Sequence, residues 1–170
     1  FIGASGNIDP WYRVLPAFND KPGWIPEPVL LGTLLGQEIV HVYRDIKDRP
    51  PVDGIKITSR FATLQLPTKP REGVSPVKTD ASAFAITVAR LGDVAFVGLG
   101  GEVFTEIGLA IKAGSPCRHT FVITHCNGAA GYLAPKEAHV QGGYEVTSSP
   151  FAPQAADVVI REAIHMLHDL

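Results

Sequence analysis

The sequence predicts an α/β fold, a mixed β-sheet flanked by helices. Three observations predict it. A near-continuous apolar run, Asp93–Leu99, leads through glycines into a helical pattern, Val103–Ala113. A second apolar strand pattern begins at His119 and runs into the small-residue segment Asn127–Gly131. The chain closes on an amphipathic helix after Pro150. Strands alternating with helices in this way belong to layered α/β architectures.

Taken in order, the chain opens on a turn, Gly3-Ala4-Ser5-Gly6-Asn7, small enough for close approach to a ligand, followed by Asp9-Pro10, which reads as a turn. Trp11–Pro28 carries two tryptophans and four prolines and reads as an irregular crossing segment. From Val29 to Asp48 the spacing of Leu31, Leu34, Leu35, Ile39, Val42 and Ile46 predicts an amphipathic helix, ended by Pro50-Pro51, with His41 on or near its apolar face. Gly54–Leu66 alternates as a strand or a bent pair of strands. The proline-bearing, charged stretch 67–80 reads as a solvated loop.

Ala81–Arg90 and Asp93–Leu99 leave room only for a hairpin, so they are expected to pair antiparallel. The apolar run 94–99 reads as buried on both faces. Phe104, Ile107, Leu109, Ala110 and Ile111 make the apolar stripe of the next helix, with Gly114 as its C-cap. His119–Cys126 reads as a buried strand through Phe121, Val122 and Ile123. Pro135 suits the first turn of a short helix. In the last helix, Ala156, Val159, Ile160, Ala163, Ile164, Leu167 and Leu170 form the buried face.

Composition bounds the function. With 170 residues, 45% hydrophobic and 19% charged, the chain can form one well-packed domain, and a net charge of −2 gives no general pull toward nucleic acid. No apolar run reaches a membrane-spanning length. Cys117 and Cys126 are nine positions apart across a strand, about 30 Å if extended, so two free thiols are expected. The glycines at 98 and 100 begin a dinucleotide-binding pattern, which fails at Val103.

Two residues stand at junctions where α/β sites gather. Glu102 follows the strand 94–99 and falls at the mouth of the helix, as a cap favoured by the helix dipole or as a ligand or acid/base group. Tyr132 follows the glycine-rich turn, as a packing residue or a site residue. Among the histidines, His119 and His125 are six apart on one strand, about 20 Å, too far to share an ion. His125, near the carboxyl end, is placed to line a cleft. His165 and His168 have a metal-compatible spacing on a face that also carries charged residues, and read as solvated.

The runs GASGNIDPWY, GLGGEVFTEIGLAIKAGSP and THCNGAAGYLAPKEAHVQGGYEV, in that order, resemble the later part of the catalytic domain of the neutral/alkaline non-lysosomal ceramidase family. The resemblance implies a zinc-dependent amidohydrolase acting on an N-acyl lipid such as ceramide. In it Glu102 falls on the glutamate of a Gly-Glu-Phe-type motif and Tyr132 on the tyrosine of an Asn-x-x-x-Gly-Tyr motif, both zinc ligands. Tyr144 in Gln141-Gly142-Gly143-Tyr144-Glu145 falls on an active-site tyrosine, 12 positions after Tyr132 as expected.

Asp9 stands where the family has a catalytic serine and is itself a candidate catalytic residue, to hydrogen-bond a ligand, act as a base or hold its own turn, in a loop whose Gly6 and Asn7 are candidates for contact with substrate. The family's two other zinc ligands are histidines that would precede Phe1. The chain starts without methionine and its single methionine is Met166, so it is expected to be the C-terminal portion, residues 1–170, of a larger catalytic domain whose upstream part supplies those histidines. The resemblance further implies export from the cytoplasm, to the periplasm or outside, and peripheral membrane contact with a lipid substrate. Alternatives are a zinc hydrolase of another amide or ester, or a non-catalytic binding protein on the same scaffold, which the replacement at Asp9 favours slightly and the joint presence of Glu102, Tyr132 and Tyr144 argues against.

Overall fold

The computed structural model describes residues 2–9, 27–70 and 81–170. It divides into two units, Phe1–Ile8 with Ile55–Leu170, and Asp9–Gly54. The irregular segment expected from Trp11 and most of the charged loop expected at 67–80 lie outside the described residues. In the second unit the expected helix forms as α1, Glu27–Ile46. His41 lies 3.9 Å from Glu38 and 3.8 Å from Asp45 on its exposed side, a solvated position and not an apolar one.

The first unit is built on a four-stranded mixed sheet in the order β1-β2-β3-β5. Its strands are β1 (Ile57–Pro67), β2 (Ala81–Leu91), β3 (Val94–Leu99) and β5 (His119–Ile123). β2 and β3 form the expected hairpin, with Leu91 opposite Val94 across the turn at Gly92. β3 and β5 run parallel, joined by the crossover helix α2, Thr105–Gly114. Two-residue strands β4 (Glu102–Val103) and β6 (Tyr132–Leu133) make a separate parallel pair. Short helices α3 (Lys136–Gln141) and α4 (Tyr144–Ser148) follow, and α5 (Ala155–His168) closes the chain.

Helices α2 and α5 pack on one face of the sheet only. On that face the pleat alternation brings Leu66, Phe84, Ile86, Val88, Val97, Leu99 and Val122 into one core with Ile107, Ile111, Val159, Ala163 and Leu167. The opposite face carries Phe61, which is exposed, and the stacked rings of Phe96 and Phe121, 5.3 Å apart. The expectation that β3 is buried on both faces and Phe121 lies inside is therefore corrected: Phe121 is exposed and Phe96 only half-buried, on the face that α2 and α5 do not cover. Strand β5 also ends at Ile123, earlier than expected, and residues 124–131 form a loop.

Helix α2 starts two residues later than the pattern suggests. Its N-cap residue, Phe104, offers no side-chain cap. The cap comes from 98 positions away instead: the Thr105 amide donates to Asn7 Oδ1 at 2.9 Å, and Asn7 Nδ2 donates to the Glu106 carboxylate. Ile107 and Ile111 are fully buried, whereas Leu109 points to solvent at 59% exposure, correcting its place on the buried stripe. At 100° per residue Leu109 lies across the helix from the row through 104, 107 and 111. Cys117 and Cys126 are free, as expected. Among the described residues no helix is long and apolar enough to cross a membrane.

These assignments separate two substitutions on one helix. Ile111→Ala should cost about 3 kcal/mol by leaving a cavity under the sheet, and Leu109→Ala less than about 0.5 kcal/mol, as measured by urea unfolding.

Candidate active site

The pair β4–β6 places Glu102 and Tyr132. Glu102 pairs with Tyr132 and Val103 with Leu133. Val103 and Leu133 are fully buried, so by strand alternation the two preceding side chains share the opposite, accessible face. Backbone bonds fix this register: the Glu102 amide donates to Gly131 O at 3.0 Å and the Phe104 amide to Leu133 O at 3.1 Å. The approach requires glycine. A Cβ on Gly101 would meet Gly131 O at 2.7 Å, and one on Gly128 would meet the backbone of Gly100 at 3.0 Å. The glycine-rich sequences 98–101 and 128–131 are two halves of one close contact.

Glu102 is thus a strand residue ahead of α2, and the expectation that it sits in the first turn of that helix is corrected. The helix N-terminus is already served by Asn7.

Around this pair the structure gathers three more polar groups. His125 Nε2 lies 3.6 Å from Glu102 Oε2. The ring of Tyr144 meets that of Tyr132 edge-on, with centroids 6.1 Å apart. Gly142 and Gly143, both at positive φ, make the turn that starts α4 at Tyr144, which is 70% exposed. Glu145, beside it, adds negative charge. The Tyr132 phenol is held above its ordinary value, first by loss of water around it, then by the charge of Glu102, with further contributions from Tyr144, from hydrogen bonding to Glu102 and from Glu145. At neutral pH it is therefore a protonated donor facing a carboxylate.

Of the remaining sequence candidates, Gly6 and Asn7 contact β4 and α2. Both ends of the Asn7 amide are used by α2, and Gly6 is pinned by its amide to Val103 O at 2.8 Å, where a Cβ would meet that carbonyl at 3.0 Å. These two residues buttress β4 and the helix after it. Asp9 is exposed and belongs to the second unit. His119, His165 and His168 are not gathered here; His165 faces Asp169 at 3.7 Å.

Sequence reasoning does not single out His139. Its Nε2 is buried without a hydrogen-bond partner, and burial, then the charge of Lys69, pushes its pKa down, against a bond from the Ala134 backbone. A histidine between alanine and valine in a short helix carries no pattern that would mark it.

Carboxylate and imidazole are donors that a zinc ion commonly accepts and a phenol is a rarer one, and Glu102 and Tyr132 are register partners. Among the described residues no group of three or more His, Cys, Asp and Glu meets at one point. The fit is thus that of a partial donor set.

The Tyr132 environment makes a direct prediction. A raised native pKa means that the protonated phenol favours the fold below the ordinary tyrosine value of about 10, and that this contribution is lost as pH rises through the native value. In an absorbance titration at 295 nm, one tyrosine should ionise later than an ordinary one; Tyr132→Phe should remove that phase and Glu102→Gln should move it toward about 10.

No protein-family model matches the chain, and no curated protein does. Among solved structures, the neutral ceramidase from Pseudomonas aeruginosa superposes with a TM-score of 0.60 and 18% identity, covering 88% of this chain and 34% of its own. A structure described as a ceramidase complexed with C2 matches with a TM-score of 0.47 and 22% identity, over 50% of this chain and 14% of its own. The chain spans about a third of the length of the first of these and less of the second. It has the fold of part of a neutral ceramidase.

Proposed function

We propose that this chain forms part of the active site of a ceramidase-like, zinc-dependent hydrolase that cleaves the amide bond of an N-acyl lipid. The observation that carries the reading is the pairing of Glu102 with Tyr132, with Tyr144 against the tyrosine. The sequence motifs single out the same three residues, and the fold agrees with a neutral ceramidase over most of the chain. The C2 complex described for the other ceramidase structure is in keeping with a lipid amide substrate.

In this mechanism Glu102 and Tyr132 would hold the zinc, with two histidines contributed by polypeptide outside residues 1–170. Zinc, when bound, supplies a water of lowered pKa, about 7, and polarises the scissile carbonyl. Tyr144, exposed and edge-on to Tyr132, donates its hydroxyl proton to the carbonyl oxygen as negative charge develops there, a contact worth more in the transition state than in the ground state. Glu102 accepts a hydrogen bond from Tyr132, which orients the carboxylate. In net terms, water adds across the amide: its oxygen would bond to the acyl carbon, the C–N bond would break, and the proton the water loses is matched by the one the departing nitrogen takes up, so that a fatty acid and a free amine result. Asp9 provides a carboxylate where the family has its serine, and the reaction proposed here does not use it. Placement outside the cytoplasm and contact with a membrane surface belong to the same proposal.

The test is amide hydrolysis by the intact protein that carries this chain, with short- and long-chain N-acyl sphingoid amides and matched esters. Glu102→Gln should lower kcat/KM at least about 10³-fold, and Tyr144→Phe about 10²-fold, chiefly in kcat, if the phenol acts on the developing oxyanion. Zinc-replete protein that hydrolyses none of these substrates contradicts the proposal.

A further inference from the structure

Tyr144 stands at the start of a helix too short to hold itself. α4 has five residues, and isolated helices of fewer than about 12 are marginal in water. On its amino-terminal side the Gly142-Gly143 turn offers no side-chain cap, and a Cβ at Gly142 would meet nothing within 4 Å. What fixes Tyr144 must therefore act from the carboxyl-terminal side. There Val146 is buried in the core, but the last carbonyls of the helix lack their usual donors. Four positions beyond Val146 stands Pro150, which has no N–H, and the Phe151 amide that would serve Thr147 donates instead to Ser149 Oγ at 3.2 Å.

Lys69 serves both carbonyls. Its Nζ donates to Val146 O at 2.6 Å and to Thr147 O at 3.4 Å, a cation at the negative end of the helix. The backbone around it is tied to the segment after α4. The Lys69 amide donates to Pro150 O at 2.9 Å, the Ala152 amide donates to Pro67 O at 2.9 Å, and Thr68 bridges Phe151. Those bonds join the end of β1 to residues 150–152, and the ammonium reaches further, into α4 itself. Its charge is felt by His139 on α3 as well, so one cation acts on both short helices that flank the glycine turn.

We infer that Lys69 is a positioning residue for the reaction: by capping the carboxyl-terminal end of α4 it holds Tyr144 edge-on to Tyr132, where the phenol can act on the developing oxyanion. The inference rests on the role proposed for Tyr144 and adds to it a residue that no motif marks, 77 positions before the carbonyl it binds.

The test uses Lys69→Met and Lys69→Gln, which remove the charge with apolar and polar replacements, and Lys69→Arg, which restores it. Thermal melts check that each folds. In the full 170-residue chain, nuclear Overhauser contacts are expected between the Tyr132 and Tyr144 rings. Lys69→Met and Lys69→Gln should lose them, and should speed exchange of the Thr147 and Ser149 amides, bonded to Gly143 O and Glu145 O, at least about tenfold. Lys69→Arg should keep both. In the intact protein the uncharged variants should lower kcat about tenfold with KM and zinc content unchanged. That loss should vanish in a Tyr144→Phe background, because a residue acting through the phenol then has nothing to position. A folded uncharged variant that keeps the ring contacts and the slow amides overturns the inference, and so does an equal loss of kcat with and without the Tyr144 hydroxyl. If intact wild-type protein hydrolyses no amide, the hydrolase reading falls, and the ring contacts alone decide whether Lys69 holds Tyr144.

Discussion

Two backbone hydrogen bonds, from the Glu102 amide to Gly131 and from the Phe104 amide to Leu133, join the ends of two parallel strands into a second, two-residue ribbon. The rest of the candidate site depends on them. They set the register that buries Val103 and Leu133 and leaves Glu102 and Tyr132 side by side. They also require the bare backbone of Gly101 and Gly128, because a side chain at either would push the two segments apart. A pair this short has little stability of its own. It is held by the core beneath it and by the amino-terminal strap, where Gly6 bonds Val103 and Asn7 caps the following helix.

Much of this architecture is legible in the sequence because local signals coincide with tertiary ones. Alternation in 81–90, a two-residue turn and the apolar run 94–99 leave little choice but a hairpin, and the buried rows on α5 follow its helical spacing. What is not legible is set by partners distant in sequence. Glu102 looks like a helix-cap residue when only its neighbours are considered; the cap is Asn7, brought from the other end of the chain. The strand through Phe121 looks buried because apolar runs usually are. Phe121 is exposed because α2 and α5 both lie on the other face.

The site shows the same division. Glu102, Tyr132 and Tyr144 are marked by junctions and motifs, and all three meet, although nothing in the spacing 102 to 132 specifies that they should. His125 is read as lining a cleft and does face Glu102, but its backbone is not legible, because β5 stops at Ile123 and the chain turns over at positive φ, which no sequence pattern around a histidine announces. Asn7 and Gly6, read as ligand-facing because small and polar residues in a turn suit that purpose, also make contacts that hold the scaffold. Small residues permit close approach to anything, and here the thing approached is β4.

The measurement that tests this account most directly is amide hydrogen exchange, followed residue by residue by NMR. The account predicts that the Glu102 and Phe104 amides exchange slowly, with protection comparable to that of the central strand residue Val97. Free exchange at both positions, with Val97 still protected, would contradict it, since Glu102 and Tyr132 would then have no shared ribbon to hold them together.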